Sequence, residues 1–417
     1  MNISLIAYSF VEGGAAIAAS KYRTLLEKGG NNVSTFSQVE AGRFQFSKRL
    51  LSFILTKLQV DGNPIKHSLN LFSYAPIYQY LKKTKEDIHH FHWINNDTFS
   101  IFDFDKIPSG SIITLHDEWL YCGSEHCYIV ADANLDFING YHFFKKGVWG
   151  IHWNYIIWKI KYQKLRQRSD LIYTVPSQWM LSRAKKSLIL KVADIRLLPN
   201  PIDTSLFKPI LSSETIRFRQ KHGIESEDIV FCFGAAGGNV TPLKGAQVLE
   251  EAIAILSLKL NKNILKRIKF INFGGAKIDM SELFGFPLIS LGYIEKKEQL
   301  AELYSSIDCT IVPSLVESFG QVAAEALSCE SPVICFQCSG LVDIVKDGET
   351  GLTVKPYSSH DLAEKMQQFI FMSEESRNQL GVNGREHVVN QFSYSVIREQ
   401  YLKIISDAAD IKKNNKK

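Results

Sequence analysis

The chain has 417 residues, of which 45% are hydrophobic and 22% charged, the balance of a water-soluble globular protein. This length exceeds what one hydrophobic core usually serves, so we expect two domains. The seven cysteines are few and scattered, which argues against a secreted disulfide framework. No apolar run approaches the roughly 20 residues that span a bilayer, and MNISLIAYSF carries no basic leader or cleavage site, so a cytoplasmic protein is expected.

The first half of the chain alternates predicted strands and helices. A strand at ISLIAY (3–8) leads into a loop at Gly13-Gly14 and a helix over residues 15–27, which ends at Gly29-Gly30. Further strands are predicted at NNVSTF (31–36), DIHHFHW (87–93) and SIITLHD (111–117).

The second half repeats this alternation after a proline-rich linker at residues 198–209. Its predicted strands are DIVFCFG, IKFINF, DCTIVPS and SPVICF, and its predicted helices are GAQVLEEAIAIL, KKEQLAELYSSI and SFGQVAAEALS. Alternating strands and helices indicate parallel sheets covered on both faces. We therefore predict two doubly wound α/β domains with a cleft between them, residues 1–200 and 201–393, with a helix over about 394–410 packing back on the first.

Two glycine-rich turns follow predicted strands, but neither matches a common nucleotide motif. VEGGAA and GAAGGN lack the G-x-G-x-x-G spacing of dinucleotide-binding proteins. GGNVTPLKG is not a Walker loop, because Lys244 is followed by Gly245. What remains is a strand, a glycine-rich turn and a lysine just before a helix, an arrangement suited to clamping phosphate.

The stretch LVESFGQVAAEAL places two glutamates around a strand-to-helix turn. Glu317 lies in the predicted turn, Ser318, Phe319 and Gly320 open the helix, and Glu325 lies one to two turns inside it. Unpaired amides at a helix start attract anions and hydroxyl oxygens. Taken alone, the pattern also fits an amphipathic helix with two solvated acids.

TPLKGAQVLEEAI and SLVESFGQVAAEAL, in this order and about 70 residues apart, resemble the retaining nucleotide-sugar glycosyltransferases of family 4, of the bacterial surface-polysaccharide type. The resemblance does not extend to residues 35–85 and 120–165. It also runs through GGAAIAASKYRTLLEKGG, ITLHDEW, VPSQWM, LLPNPIDTSLFKP, LGYIEKKEQLAELYSSIDCTIVP and IVKDGETGLTV. It implies the GT-B fold, in which two Rossmann-like domains face a central cleft.

The resemblance also assigns roles to residues. Glu325 would bind the donor ribose, Lys244 the pyrophosphate, Glu317 the hydroxyls of the donor sugar, and His116 would reach the sugar near its reacting carbon. The implied catalytic residues are His116, Lys244 and Glu317. The implied donor-binding residues are Gly14, Gly237, Gly238, Lys244, Ser318, Phe319, Gly320 and Glu325, and the implied acceptor-binding residues are Gly13, Asp117 and Glu118.

One position departs from the family pattern. The family commonly has an arginine a few residues before the lysine, but Asn239 stands at about that place and Arg219 and Arg267 are too distant in sequence. Lys244, backbone amides and a cation from the other domain are then expected to meet the pyrophosphate charge.

Three other clusters have plain structural interpretations. Asp103 and Asp105 form a D-x-D, which holds Mn²⁺ or Mg²⁺ in metal-dependent glycosyltransferases, but here it falls in a loop, where a solvated acidic turn is expected. In IHHFHW, His90 and His92 share a strand face without a neighbouring carboxylate, which favours packing or acceptor contact over a metal site. Cys335-x-x-Cys338 has no second pair, and Cys122 and Cys127 are expected to be free thiols.

Two stretches are basic, aromatic and free of acids. Residues 42–60 hold four Lys/Arg, and residues 143–168 hold seven together with three Trp. Such composition suits an anionic membrane surface. The alternatives are an aromatic-rich helix buried between the two lobes with its lysines reaching outward, and nucleic acid, for which no motif is present.

The resemblance, taken with the composition and the two basic stretches, implies a retaining, metal-independent glycosyltransferase with no cofactor. It would move a sugar from a nucleotide diphosphate sugar to a hydroxyl of a lipid-linked saccharide, for an O-antigen, capsule or exopolysaccharide, at the inner face of the cytoplasmic membrane. A nucleotide-sugar epimerase or a phosphorylase on the same fold, and a non-catalytic nucleotide-sugar-binding subunit, are the alternatives. A phosphorylase would need a lysine-bound pyridoxal site, for which no candidate is seen.

Overall fold

The computed structural model describes residues 2–11, 13–38, 43–84, 88–128, 135–234, 242–276 and 279–415. The chain divides into two compact units, residues 1–201 with 397–417, and residues 202–396. Each unit is built on its own sheet. The passage from the first unit to the second lies within the proline-rich segment, and the last helix returns the chain to the first unit.

The first unit contains a six-stranded sheet in the order β2-β1-β4-β5-β7-β8, and every neighbouring pair is parallel. Its strands are β1 (Asn2–Ala7), β2 (Asn32–Ser37), β3 (Gln59–Val60), β4 (Ile88–His92), β5 (Ile112–Thr114), β6 (Trp149–Gly150), β7 (Ile172–Val175) and β8 (Asp194–Leu197). Its helices are α1 (Gly14–Lys28), α2 (Arg43–Thr56), α3 (Ala75–Lys83), α4 (Asp136–Asn139), α5 (Trp153–Leu165) and α6 (Gln178–Lys186). The short strands β3 and β6 pair separately and antiparallel.

The second unit contains a seven-stranded sheet in the order β11-β12-β10-β9-β13-β14-β15, parallel except for β11 with β12. Its strands are β9 (Ile229–Gly234), β10 (Ile268–Phe273), β11 (Glu282–Leu283), β12 (Phe286–Gly292), β13 (Cys309–Val312), β14 (Val333–Phe336) and β15 (Gly351–Val354). Its helices are α7 (Ser212–Lys221), α8 (Ala246–Lys259), α9 (Lys262–Leu265), α10 (Lys297–Ser306), α11 (Gln321–Ser328), α12 (Leu341–Ile344), α13 (Ser359–Phe371) and α14 (Glu374–Phe392). The last helix, α15, is Tyr394–Asn414.

Both sheets have a hydrophobic core on each face. Along β1, Ile3 and Leu5 contribute to one core, which α15 closes with Ile397 and Tyr401, whereas Ile6 contributes to the other. The central strands are almost wholly buried, as expected for parallel strands covered by helices on two sides. The α/β fold predicted from the alternation is confirmed.

Strand order reverses once beside the first strand of each sheet. In the first unit β1 lies between β2 and β4, and in the second β9 lies between β10 and β13. Ligands of doubly wound sheets bind outside the carboxyl ends of the strands at such a reversal. The relevant loops are therefore those after β1 and β4, and those after β9 and β13.

The two basic stretches differ in their structures. Helix α2 buries Gln45 and Ser52 and leaves most of its large apolar side chains exposed. Helix α5 instead packs Trp158 into the core, and its Lys161 is buried and donates to the carbonyl of Gly123 at 2.7 Å. Helix α5 therefore contributes to the core of the first unit, whereas α2 is largely exposed.

No helix in the described ranges is both long enough and apolar enough to cross a bilayer.

Candidate active site

In the second unit, two loops meet at the carboxyl ends of β9 and β13. Residues 242–244 form a short 3-10 turn before α8, and the amide of Leu315 donates to the carbonyl of Leu243 at 2.8 Å. Gly245 has a φ of +68°, and a Cβ there would lie 1.9 Å from the carbonyl oxygen of Pro313. Only glycine allows this close approach, so Gly245 fixes Lys244 beside the turn after β13.

Lys244 and Glu317 form an ion pair at this junction. The Nζ of Lys244 lies 2.5 Å from Oε1 of Glu317, with 32% and 20% of the two side chains exposed. They border a cavity of about 20 Å³, which has room for about one water molecule. The two charges therefore satisfy each other, and little space is left beside them.

A third loop, after β14, holds the backbone of Glu317. Its amide donates to Oγ of Ser339 at 2.9 Å, and its carbonyl accepts from the amide of Gly340 at 2.8 Å. The thiol of Cys338 lies 3.4 Å from the carbonyl of Leu315. The Cys335-x-x-Cys338 stretch thus has a positional role: Cys335 is a buried residue of β14, and all seven cysteines of the chain are free.

Helix α11 begins directly after this turn, as predicted. Gly320 is its N-cap, without a capping side chain. The ring of Phe319 is buried against Phe392, with ring centroids 5.3 Å apart. A ligand at this helix start would therefore meet the backbone of Phe319 and not its ring. Ser318 is partly exposed beside it.

Glu325 lies on α11 and is largely buried. Its negative charge adds to the effect of burial in raising the pKa of Tyr304 and of Tyr394. The interpretation of Glu325 as a fully solvated acid on an amphipathic helix is therefore wrong. The other two residues predicted for the donor in this unit, Gly237 and Gly238, lie outside the described residues, as does Asn239.

In the first unit, His116 follows β5 and borders a cavity of about 510 Å³. Nδ1 of His92 lies 2.9 Å from Nε2 of His116. Burial lowers the pKa of His116 to about 4, against the weaker opposing charge of Asp117, so its ring is neutral at pH 7. The cavity is also lined by the predicted Gly13 and Gly14, of which Gly13 has a φ of +92° as N-cap of α1.

The other strand histidines support this ring. The rings of His90 and His92 are 3.9 Å apart, and Nε2 of His90 lies 2.6 Å from Oγ1 of Thr114. Burial lowers the pKa of both histidines well below the usual value. They belong to the core that supports His116, which agrees with the packing interpretation.

Asp117 and Glu118 are tied into the loop after β5. Asp117 accepts from the indole of Trp93 at 2.7 Å, and Nδ1 of His126 lies 2.6 Å from its carboxylate. The carboxylate of Glu118 is buried and accepts from Arg183 at 2.5 Å. These contacts favour positioning roles over direct acceptor binding, which stays a prediction for both.

The predicted acidic turn at Asp103 and Asp105 is a 3-10 helix over residues 101–106. Lys106 contacts Asp103 at 2.6 Å and Lys164 contacts Asp105 at 2.7 Å. Within the ranges that the structure describes, no three His, Cys, Asp or Glu side chains are grouped to hold a metal ion.

Sequence reasoning missed two residues at the first unit's cavity, Trp93 and Lys66. Trp93 follows β4 with a φ of +41°, and the Nζ of Lys66 lies 4.4 Å from the centroid of its ring. The position of Trp93 at a strand's carboxyl end was a usable signal. Lys66 lies in a loop far along the sequence from the other cavity residues, and nothing local marks it.

Comparison with known proteins finds a family match within the second unit. Residues 214–387 match the family described as "Glycosyl transferases group 1". The match covers most of the second unit. Over 217 residues the chain is 30% identical to the D-inositol 3-phosphate glycosyltransferase of Corynebacterium glutamicum, covering 49% of this chain and 50% of that protein. The chain spans between about a third and a half of the length of the curated relatives that it matches first.

Solved structures match nearly the whole chain at low identity. The sucrose-phosphate synthase of Thermosynechococcus elongatus has a TM-score of 0.67 at 18% identity, covering 97% of this chain and 98% of its own. Anabaena Alr3699/HepE in complex with UDP-glucose has a TM-score of 0.62 at 15% identity, covering 98% of this chain and 100% of its own. WaaG, a glycosyltransferase involved in lipopolysaccharide biosynthesis, has a TM-score of 0.61 at 15% identity, covering 98% of this chain and 99% of its own. The likeness shows a shared fold, and the predicted GT-B class is confirmed.

Proposed function

We propose that this protein is a retaining glycosyltransferase that moves a sugar from a nucleotide diphosphate sugar to a hydroxyl of a saccharide acceptor without a metal ion. The observation that carries the proposal is the Lys244–Glu317 pair at the strand-order reversal of the second unit. It lies inside the segment that matches group 1 glycosyltransferases. A cation beside a helix start is suited to a diphosphate.

Donor binding would exchange the partners of this ion pair. A diphosphate oxygen takes the place of Glu317 beside the ammonium of Lys244, because both are anionic acceptors competing for one cation. The carboxylate of Glu317 is then available to accept hydrogen bonds from sugar hydroxyls. Glu325, deeper along α11, accepts the ribose hydroxyls in this scheme.

The transfer step needs a stabilised leaving group more than a nucleophile on the protein. The acceptor oxygen forms a bond to the sugar carbon while the bond from that carbon to the phosphate oxygen breaks. The acceptor proton passes to the departing phosphate oxygen, on the face from which it leaves, so the configuration is retained. Lys244 and the amides at the start of α11 stabilise the growing negative charge.

His116 has a different part in this scheme. Its low pKa keeps the imidazole uncharged at neutral pH, so it forms a hydrogen bond to the sugar without adding a second cation. Gly13 and Gly14 border the same cavity and let the ligand approach the backbone at the start of α1.

The acceptor is proposed to be a lipid-linked saccharide for a surface polysaccharide, met at the inner face of the cytoplasmic membrane. Strand β3 pairs with β6, which joins the two basic stretches at Val60 and Trp149. Trp149 is 74% exposed and Phe53 58% exposed. Exposed aromatic side chains among lysines suit an anionic lipid surface. WaaG, which has the same fold, supports this class of pathway.

A donor screen tests the proposal. The full chain is incubated with a panel of nucleotide diphosphate sugars, with and without a simple glycoside acceptor, and the products are followed by proton NMR. We expect one donor to be hydrolysed slowly and to give a product of retained anomeric configuration. An inverted product, or an epimerised donor, would contradict the proposal, and binding without any turnover would favour the non-catalytic alternative.

A further inference from the structure

A second cavity of the first unit lies beneath α2. It has a volume of about 620 Å³, and one wall is α2 while the other is the loop over residues 61–70. None of the residues predicted for the donor or the acceptor lines it. Its size is in the range of small-molecule sites in proteins.

Helix α2 brings unusual chemistry to this cavity. Phe46, Leu50 and Phe53 border it and are exposed, whereas Ser52 on the same helix is buried. A helix on a water-soluble surface normally presents the opposite arrangement. An exposed apolar rim around a pocket marks a surface for an apolar ligand or a membrane.

Three cations lie within the cavity lining, Arg49, Lys57 and Lys66. Lys57 lies over the ring of Phe53, with its Nζ 5.0 Å from the centroid, so the two candidate ligand contacts are Arg49 and Lys66. The guanidinium of Arg49 lies 5.0 Å from the centroid of the Tyr8 ring, and Nζ of Lys66 donates to Oδ1 of Asn96 at 3.1 Å. Burial lowers the pKa of Lys66; the charge of Asp117 opposes this shift and that of Arg49 adds to it. The two positive groups are therefore close enough to repel each other.

The carboxylates of the lining do not cancel these cations by direct contact. Asp61 lies 3.9 Å from His67, and Asp97 accepts from the amide of Phe72 at 3.1 Å. Asp97 attracts Arg49 only at longer range. In the described part of the chain neither Arg49 nor Lys66 forms a salt bridge within 4.0 Å. An anion between them would relieve the repulsion.

The cavity beneath α2 adjoins the cavity at His116. Lys66 and Asn96 line both of them. A ligand held at Lys66 can therefore extend one end towards His116 and the other towards the exposed rim of α2. The two cavities together thus present an apolar rim at α2, then the cations, and then the side chain of His116.

We propose that this cavity binds the phosphate or diphosphate group of an amphiphilic acceptor, with Arg49 and Lys66 as its direct contacts. The apolar tail of the acceptor lies along Phe46, Leu50 and Phe53, and its saccharide end points to His116. This inference rests on the proposed function, because it names the acceptor class of that same reaction.

Calorimetric titration of the full chain with farnesyl diphosphate, farnesol and inorganic pyrophosphate tests the proposal. We expect farnesyl diphosphate to bind more tightly than either of the other two, since they carry only one of its two features. Arg49→Gln should weaken its binding roughly tenfold or more, the usual effect of losing a charged hydrogen bond. Lys66→Gln is the second variant and should act in the same direction.

Arg166→Gln is the matched control, because Arg166 also lies over a tyrosine ring, at 4.9 Å from the centroid of Tyr162, but does not line the cavity. Unfolding midpoints equal to that of the wild type show that the variants fold. Equal affinities in Arg49→Gln and Arg166→Gln, or pyrophosphate binding as tightly as farnesyl diphosphate, would overturn the proposal.

Lys244→Met separates this site from the donor site. If it abolishes farnesyl diphosphate binding, the ligand occupies the donor site and the inference fails. Nucleoside diphosphate binding to the wild type is measured in parallel. If the wild type does not bind a nucleoside diphosphate, the proposed function is contradicted. Binding of farnesyl diphosphate then still decides whether the cavity beneath α2 is a ligand site.

Discussion

The two sheets both place a candidate site where strand order reverses, yet the two sites differ in charge and in space. In the first unit, His116 and His92 are neutral and border a cavity of about 510 Å³. In the second, Lys244 and Glu317 are partly exposed, bonded to each other and next to a cavity of about 20 Å³. The first site is open, with neutral imidazoles and one cation, Lys66, in its lining, whereas the second satisfies its own charges.

Under the proposed function, this difference would give the two sites different roles. A diphosphate would bind best where it can replace the present partner of a cation, which is at Lys244. Neutral sugar hydroxyls would bind best where uncharged imidazoles face a cavity, which is at His116. The same architecture in two units of one chain would then support two kinds of recognition through a few side chains.

The largest effect is expected from Lys244→Met. Removing the cation from the leaving pyrophosphate should lower the turnover number by roughly 10²- to 10³-fold, as for loss of a transition-state donor. Steady-state kinetics with the donor found in the screen measures this. Lys259→Met is the matched control, because Lys259 is 33% exposed and pairs with Glu364 at 3.5 Å. Similar turnover numbers in both variants would contradict a role for Lys244 in stabilising the leaving pyrophosphate.

Glu317 and Glu325 are expected to have different roles in donor binding and turnover. Glu325→Ala should weaken nucleoside diphosphate binding by roughly ten- to hundredfold through the ribose. Glu317→Ala should lower turnover instead, and its affinity for the bare nucleoside diphosphate should be unchanged or higher, because Lys244 loses its competing partner. Calorimetry with the nucleoside diphosphate distinguishes them. An equal loss of affinity in both variants would show that the roles are wrongly divided.

Acidification should destabilise the first unit through its buried histidines. Between about pH 4 and 6.5 the folded protein holds His116 neutral while the unfolded chain protonates it. The stability from this neutral ring is complete above pH 6.5 and is lost as the pH falls towards 4, at about 1.4 kcal/mol per pH unit. His90 and His92 act in the same direction.

Urea unfolding between pH 7 and pH 4.5 measures this loss. The His116→Asn variant should lose less stability than the wild type over the same range, because one of the titrating groups is gone. Identical pH slopes for the two proteins would contradict the assignment of a low pKa to His116.

A smaller effect is expected at the exposed surface of α2 and β6. The double variant Phe53→Ser, Trp149→Ser should reduce sedimentation with anionic liposomes at low salt by roughly tenfold, since each ring contributes partial apolar burial. Phe371→Ser is the control, because Phe371 is 61% exposed on α13 of the second unit. Wild-type protein that stays in the supernatant would contradict the proposed contact with an anionic membrane.

Local patterns were sufficient to predict much of this fold. The strand, turn and helix around Glu317 could be predicted because apolar runs, a proline and Gly320 lie close together in sequence. The ion pair between Lys244 and Glu317 could not, because it joins loops 73 residues apart that meet only through strand order. The composition of residues 42–60 suited a membrane surface but left a buried helix as an alternative, because the exposure of α2 depends on what the rest of the unit covers. Lys66 had no local signal at all.

The central claim is that Lys244 supplies at the leaving pyrophosphate the charge that a metal ion supplies in other glycosyltransferases. The most direct test is sugar transfer, or donor hydrolysis, measured with and without excess EDTA. The account predicts that most of the rate remains in EDTA. Complete loss of activity, restored by Mn²⁺, would contradict it and return attention to Asp103 and Asp105.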